Sequence, residues 1–192
     1  RAASSVLDAP DQVERVLVVC DDASDSPGVL AALERFAERG SVVVRGDLRT
    51  PEEKATKILT AGALINRALA EVDSDLIAYL TDGSAFLPGH MDRLSAHLDA
   101  CPGTRLAWDH QHLIVADWQG SVVEERMQQA APVRADGDPH EIHFGSVLIA
   151  RLARGNFIDH SAAVERRAAD VVPWTEEPRH WQFWDWIRWQ AL

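Results

Sequence analysis

The chain is short of the features that would make it a secreted, fibrous or membrane-spanning protein. It has only two cysteines, Cys20 and Cys101, in 192 residues. That is too few for a disulfide framework or a thiolate metal site, so a reducing, cytoplasmic setting is expected. No apolar run approaches the roughly 18 residues that a membrane-spanning helix needs. No basic segment followed by an apolar one marks a secretory signal. No membrane span is therefore expected. Positive charge is also scarce: 19 Lys and Arg against 30 Asp and Glu give a net charge of −11. A nucleic-acid surface gains affinity by neutralising phosphates with Lys and Arg, so no nucleic-acid partner is expected. A small phosphorylated ligand stays compatible, because a divalent cation between carboxylates and a diphosphate inverts the local charge. Repeats and low-complexity linkers are absent.

What is present suits one globular domain, with 46% hydrophobic and 26% charged residues. Residues 16–20, VLVVC, form a β-branched run that reads as a buried parallel strand. The run ends in the acidic turn Asp21-Asp22-Ala23-Ser24-Asp25, ahead of a helical pattern at Val29, Leu33, Phe36 and Ala37. Residues 41–44, SVVV, give a second strand. Thr50-Pro51-Glu52-Glu53 is a helix start, and that helix is expected to bury Ile58, Ala61, Ile65, Ala68 and Val72. Residues 76–80, LIAYL, read as a third strand. It breaks into Thr81-Asp82-Gly83-Ser84, a polar turn whose glycine is free to take positive φ. A further helix follows, with Met91, Leu94 and Leu98 on one face.

Strand and helix alternate three times through short connections, which predicts an α/β fold with a doubly wound, mostly parallel sheet. The second half is more irregular. Residues 105–116 and 121–126 read as a hairpin around Asp117-Trp118-Gln119-Gly120. Residues 130–139 read as a loop, 145–154 as strand or helix, and 161–169 as a short helix capped by Ser161. The tail holds five of the seven tryptophans: Trp174, Trp181, Trp184, Trp186 and Trp189. These suit a core helix, with one or two lining a carbohydrate cleft. Sheets of this type start with a strand, whereas this chain opens in a helix-like segment and stops in mid-pattern. Further native residues are therefore expected at both ends.

Acidic clusters fall at element ends: Asp21-Asp22, Asp82, and Glu176-Glu177 with Asp185. The carboxyl ends of parallel strands share one end of a sheet, so the first two clusters are expected to meet. Carboxylates completed by a diphosphate and water suit Mg²⁺ or Mn²⁺, and a further carboxylate suits a general base. Singly, each acid also reads as a cap or a solvated side chain. A rival zinc site built on His110, His112, His140 and His143 matches no familiar ligand spacing.

In order along the chain stand Ser5-Val6-Leu7, the Asp21–Asp25 turn, an Asn-containing helix around Asn66, and residues 79–88, YLTDGSAFLP. They are followed by Ile158-Asp159-His160-Ser161 and Trp184-Asp185-Trp186. This ordered set resembles the family 2 inverting glycosyltransferases of GT-A fold, within them the spore-coat polysaccharide type. The resemblance implies a single GT-A (Rossmann-like) domain over 1–192, with a nucleotide-binding half, 1–100, and an acceptor half, 101–192. It implies a nucleotide-diphosphate sugar donor held by Asp21, Asp22 and Asn66, and a diphosphate with Mn²⁺ or Mg²⁺ at Asp82. It further implies Asp185 as the base, and Asp159, His160 and Trp184 beside a glycan or small-molecule acceptor. Gly83 or Ser84 stands where the family has a second metal-binding carboxylate, and Trp184 where it has an acidic residue or glycine. A domain without its metal site, binding a nucleotide sugar, a glycan or a protein, is the alternative.

Overall fold

A computed structural model describes residues 6, 16–19, 31, 34, 38, 42–45, 50–56, 61–81, 83–117, 119, 121–128, 158–167, 172–177 and 188–189. The strands are β1 (Val16–Val19), β2 (Val42–Arg45), β3 (Leu76–Ala78), β4 (Leu106–Trp108), β5 (Gln111–Ala116), β6 (Val122–Gln128) and β7 (Ala163–Arg166). The helices are α1 (Pro51–Thr56), α2 (Ala61–Leu69) and α3 (His90–Ala100), with a 3-10 turn at His160–Ala162 before β7. Among the described residues, no helix is long and apolar enough to cross a membrane.

The pairing of these strands overturns the expected doubly wound, mostly parallel GT-A (Rossmann-like) sheet. Among the described residues only β1 and β2 pair in parallel. Strand β7 lies between β3 and β4 and runs antiparallel to both, with Val164 opposite Ala78 on one side and Ala107 on the other. Strands β5 and β6 form a separate antiparallel hairpin. The physical reason is that local patterning announces a strand but not its neighbour. The segment expected to be a helix from Ser161 instead turns once and extends as β7. Asp159 caps that turn by accepting a hydrogen bond from the Ser161 amide at 2.7 Å. The run 105–116 likewise splits: β4 joins the three-stranded sheet, and the chain leaves it at Asp109 and His110 to start the hairpin. Other elements match their expectations: β1, β2, the helix start after Thr50, β3, the hairpin, and α3 with Leu94 and Leu98 buried.

The three-stranded sheet sorts its side chains by strand alternation. Leu76, Ala78, Ala107 and Val164 pack with Met91, Leu94 and Leu98 of α3. The intervening residues Ile77, Tyr79, Leu106, Trp108 and Ala163 pack with Ile65 and Leu69 of α2, and with Ile158, Trp174 and Trp189. Trp174 and Trp189 are fully buried and meet edge to face at 5.4 Å between ring centroids. The expected core role of the tryptophan-rich tail therefore holds for these two; Trp181, Trp184 and Trp186 lie outside the described residues. Glu165 shares the tryptophan face and is 4% exposed, paired with Arg188 at 1%.

Helix α2 docks by one stripe, Gly62, Ile65, Asn66 and Leu69, at the i, i+3, i+4, i+7 spacing of a single face. Gly62 and Ala63 are its buried residues; Ala61, expected inside, is exposed, so the buried stripe lies one residue further on. A Cβ on Gly62 would stand 2.0 Å from the Thr175 carbonyl oxygen, so only glycine admits the segment 172–177. One turn on, the Asn66 amide donates to the Trp174 carbonyl at 2.9 Å and accepts from the Trp174 amide at 2.8 Å. The side chain thus pairs with a peptide as a neighbouring strand would. Gly62→Ala is expected to lower stability by about 2 kcal/mol in urea unfolding, overpacking outweighing the gain in helix propensity. An unchanged midpoint would contradict this close approach.

Candidate functional site

Because β3 and β4 run parallel to each other and β7 opposite to both, one end of the sheet gathers three chain segments. These are the residues after β3, the residues after β4, and those leading into β7. After β3, the Ser84 amide donates to the Thr81 carbonyl at 3.1 Å, closing a tight turn. The Thr81 and Ser84 hydroxyls are 3.1 Å apart. Gly83, exposed in this turn, has nothing within 4 Å of the place a Cβ would take. A positive φ, 73°, occurs at Gly89, where the chain swings into α3.

The first residue of α3, His90, is 6% exposed. Phe86 lies against its ring, the planes 17° apart and the centroids 4.8 Å. His90 Nδ1 stands 3.1 Å from Asp109 Oδ2, and Arg93 Nη2 donates to the same oxygen at 3.0 Å. An ionised carboxylate only accepts, so Nδ1 carries the proton in this pair. Among the described residues, Nε2 is buried without a hydrogen-bond partner. Asp109 is itself fastened to the sheet, its amide donating to the Ala162 carbonyl at 3.1 Å. Burial alone pushes the Asp109 carboxyl up. The hydrogen bonds and charges of His90 and Arg93 outweigh that and hold it below the usual carboxylate value. The far end of α3 is pinned too, Arg166 Nη2 donating to the Leu98 carbonyl at 2.8 Å.

Two of the expected site residues stand at this same end. Asp159, as well as capping the turn, lies 3.7 Å from His160 Nδ1. Asn66, expected at the nucleotide, uses both amide hydrogens, on the Trp174 carbonyl and on Glu176 Oε1 at 2.8 Å. Asp21, Asp22, Asp82, Trp184 and Asp185 lie outside the described residues. Among the described residues, no group of three or more His, Cys, Asp or Glu side chains is arranged to hold a metal ion. Of the rival zinc set, His112 pairs with Glu125 at 2.7 Å across the hairpin, and His140 and His143 lie outside the described residues.

Behind the site, Glu165 joins Arg188 in a buried ion pair and accepts from the Tyr79 hydroxyl at 3.3 Å. Burial, and next the Glu165 charge, push the Tyr79 phenol well above its ordinary value. Arg188 also lies over the Trp174 ring, 5.4 Å from its centroid. Sequence reading missed His90, Arg93, Asp109, Glu165 and Arg188. The one local signal was an acid, Asp109, directly after the apolar residues Leu106, Ala107 and Trp108.

No family model matches the chain. The chain is 23% identical over 176 residues to Protein CgeD of Bacillus subtilis (strain 168). The alignment covers 92% of this chain and 38% of that protein. The name states no activity, so a functional reading rests on the residues.

The lowered Asp109 value links this cluster to pH. The ionised carboxylate contributes its stability fully above the unfolded value of about 3.9. The contribution is lost as pH falls through the lower folded value. Asp109→Asn is therefore expected to lower the urea midpoint at neutral pH, with the difference from the parent shrinking below about pH 4. A difference that stays constant with pH would contradict the ionised pairing.

Proposed function

We propose that the chain transfers a sugar from a nucleotide-diphosphate sugar to an acceptor hydroxyl with inversion. The observation that carries this reading is the meeting of two segments far apart in sequence at one end of the sheet. One is the Thr81–Ser84 turn after β3; the other is the Asp159–His160 segment before β7. The ordered motifs liken the first to a donor-diphosphate segment and the second to an acceptor segment, so donor and acceptor would meet there.

In the reaction, the Asp185 carboxylate takes the proton of the acceptor hydroxyl. The acceptor hydroxyl oxygen bonds to the anomeric carbon as the bond to the diphosphate breaks, and the nucleoside diphosphate leaves. Asp21 and Asp22 would meet the donor nucleotide, and Trp184 the acceptor. Asp82, with diphosphate oxygens and water, would hold Mn²⁺ or Mg²⁺, which neutralises the leaving group when bound. Gly83 supplies no ligand, and the hydroxyls on either side of it are close enough to bond each other. A weakly held ion follows. The cytoplasm supplies such donors, and a polysaccharide acceptor fits the same reading. Gly83 also favours a second reading, a non-catalytic module that binds a nucleotide sugar or glycan.

Calorimetric titration of UDP, GDP and dTDP, with Mn²⁺ and with EDTA, tests the proposal. Binding of one nucleotide, strengthened by Mn²⁺, is expected; binding of none would contradict it. Gly83→Asp introduces a carboxylate into open space and is expected to raise the Mn²⁺-dependent affinity about tenfold, one added charged ligand. Equal affinity would remove this turn from the metal site. With the donor identified, Asp185→Asn should abolish turnover and leave nucleotide affinity within about twofold, since a base acts in the chemical step. Unchanged turnover would remove Asp185 from the mechanism.

A further inference from the structure

We propose that Asp109 is a positioning residue for the turn that follows β3, which it holds in place through His90 and Phe86. The inference rests on the reading above only for what the turn binds. Among the described residues from Tyr79 to Gly89 none lies in a helix or strand, so the pose of the turn depends on its fastenings. A continuous line of contacts runs from the sheet to it. The Asp109 amide is bonded to Ala162 beside β7, and its carboxylate holds the buried His90. The His90 ring in turn carries the Phe86 ring, two residues past Ser84. Arg93, one helical turn beyond Gly89, donates to the same carboxylate oxygen, so the start of α3 is held at two points.

Helix capping does not explain the arrangement. Gly89 at the N-cap of α3 makes no side-chain cap hydrogen bond, and Asp109 engages the side chains of His90 and Arg93. What the carboxylate fixes is the orientation of an imidazole, and with it the ring that lies against it. Loss of charge at Asp109 would leave the strands paired but free the Phe86–His90 stack to shift, and the turn with it.

The test compares the full chain with Asp109→Asn, Asp109→Glu and Phe86→Leu by hydrogen exchange and by titration of UDP, GDP and dTDP with Mn²⁺. In Asp109→Asn and Phe86→Leu, the amides of 83–87 are expected to exchange about tenfold faster, the loss of roughly one charge-assisted contact. The amides of β7 should accelerate no more than the loss of global stability read from the urea midpoint accounts for, and less than those of 83–87. Affinity for whichever nucleotide the parent binds should fall in Asp109→Asn and recover in part in Asp109→Glu. Unchanged exchange at 83–87 would overturn the proposal. So would acceleration at β7 as large as at 83–87, which makes Asp109 a general stability residue, or a localised change that leaves nucleotide affinity intact. If the parent binds no nucleoside diphosphate, the transferase reading falls, and the exchange pattern alone decides the positioning role.

Discussion

A carboxylate in the middle strand of a sheet, with a guanidinium brought to it from the far end of the chain, is an expensive arrangement. Glu165 and Arg188 are both almost wholly buried, and each offsets the charge of the other. Desolvating two ions cancels much of their attraction, so such a pair adds little net stability. Removing one partner, by contrast, costs about 3–5 kcal/mol, because the other is left uncompensated. The pair therefore acts mainly as a constraint: β7 must lie where Arg188 can reach it. The Tyr79 hydroxyl on Glu165 and the Trp174 ring under Arg188 tie β3 and the tail into the same knot.

The rest follows from the position of β7. Its alternation sends Val164 toward α3, and Ala163 and Glu165 toward the tryptophans. Its antiparallel direction brings its N-terminal end beside the C-terminal ends of β3 and β4. One end of the sheet thus collects the Thr81–Ser84 turn, the His90–Arg93–Asp109 cluster and the Asp159–His160 turn. At the other end, Arg166 holds the Leu98 carbonyl in the last turn of α3. Helix α3 is thus fastened near both ends to the same sheet, its first turn through Asp109 and its last through Arg166. Behind the sheet, the Trp174 segment is clamped to α2 by Gly62 and Asn66.

Much of this was legible in the sequence, but not the part that decides the architecture. The apolar run at 76–80 identifies β3, and Leu94 and Leu98 identify the inner face of α3, because both signals are periodic and local. Pairing is not local. Ala163-Val164-Glu165-Arg166 gives no alternation long enough to announce a strand, and its charged third residue points away from a central one until Arg188 is known to neutralise it. The doubly wound parallel sheet was the wrong inference from the correct strands. The site was legible in the same uneven way. Asp159 and His160 come forward as candidates only through the resemblance of the ordered motifs. Asp109 meets its partner His90 only because β4 is parallel to β3, a fact no motif carries.

The most direct measurement of the central claim is paramagnetic broadening of the amide NMR signals by Mn²⁺ with the nucleoside diphosphate that binds best. If one end of the three-stranded sheet is the place where donor and acceptor meet, signals of Gly83, Ser84, Asp109 and His160 should broaden together. Those of Asp75, Arg105 and Arg167, where the strands close at the opposite end, should stay sharp. Broadening at that opposite end, or around Asn66 and Glu176 alone, would contradict the site.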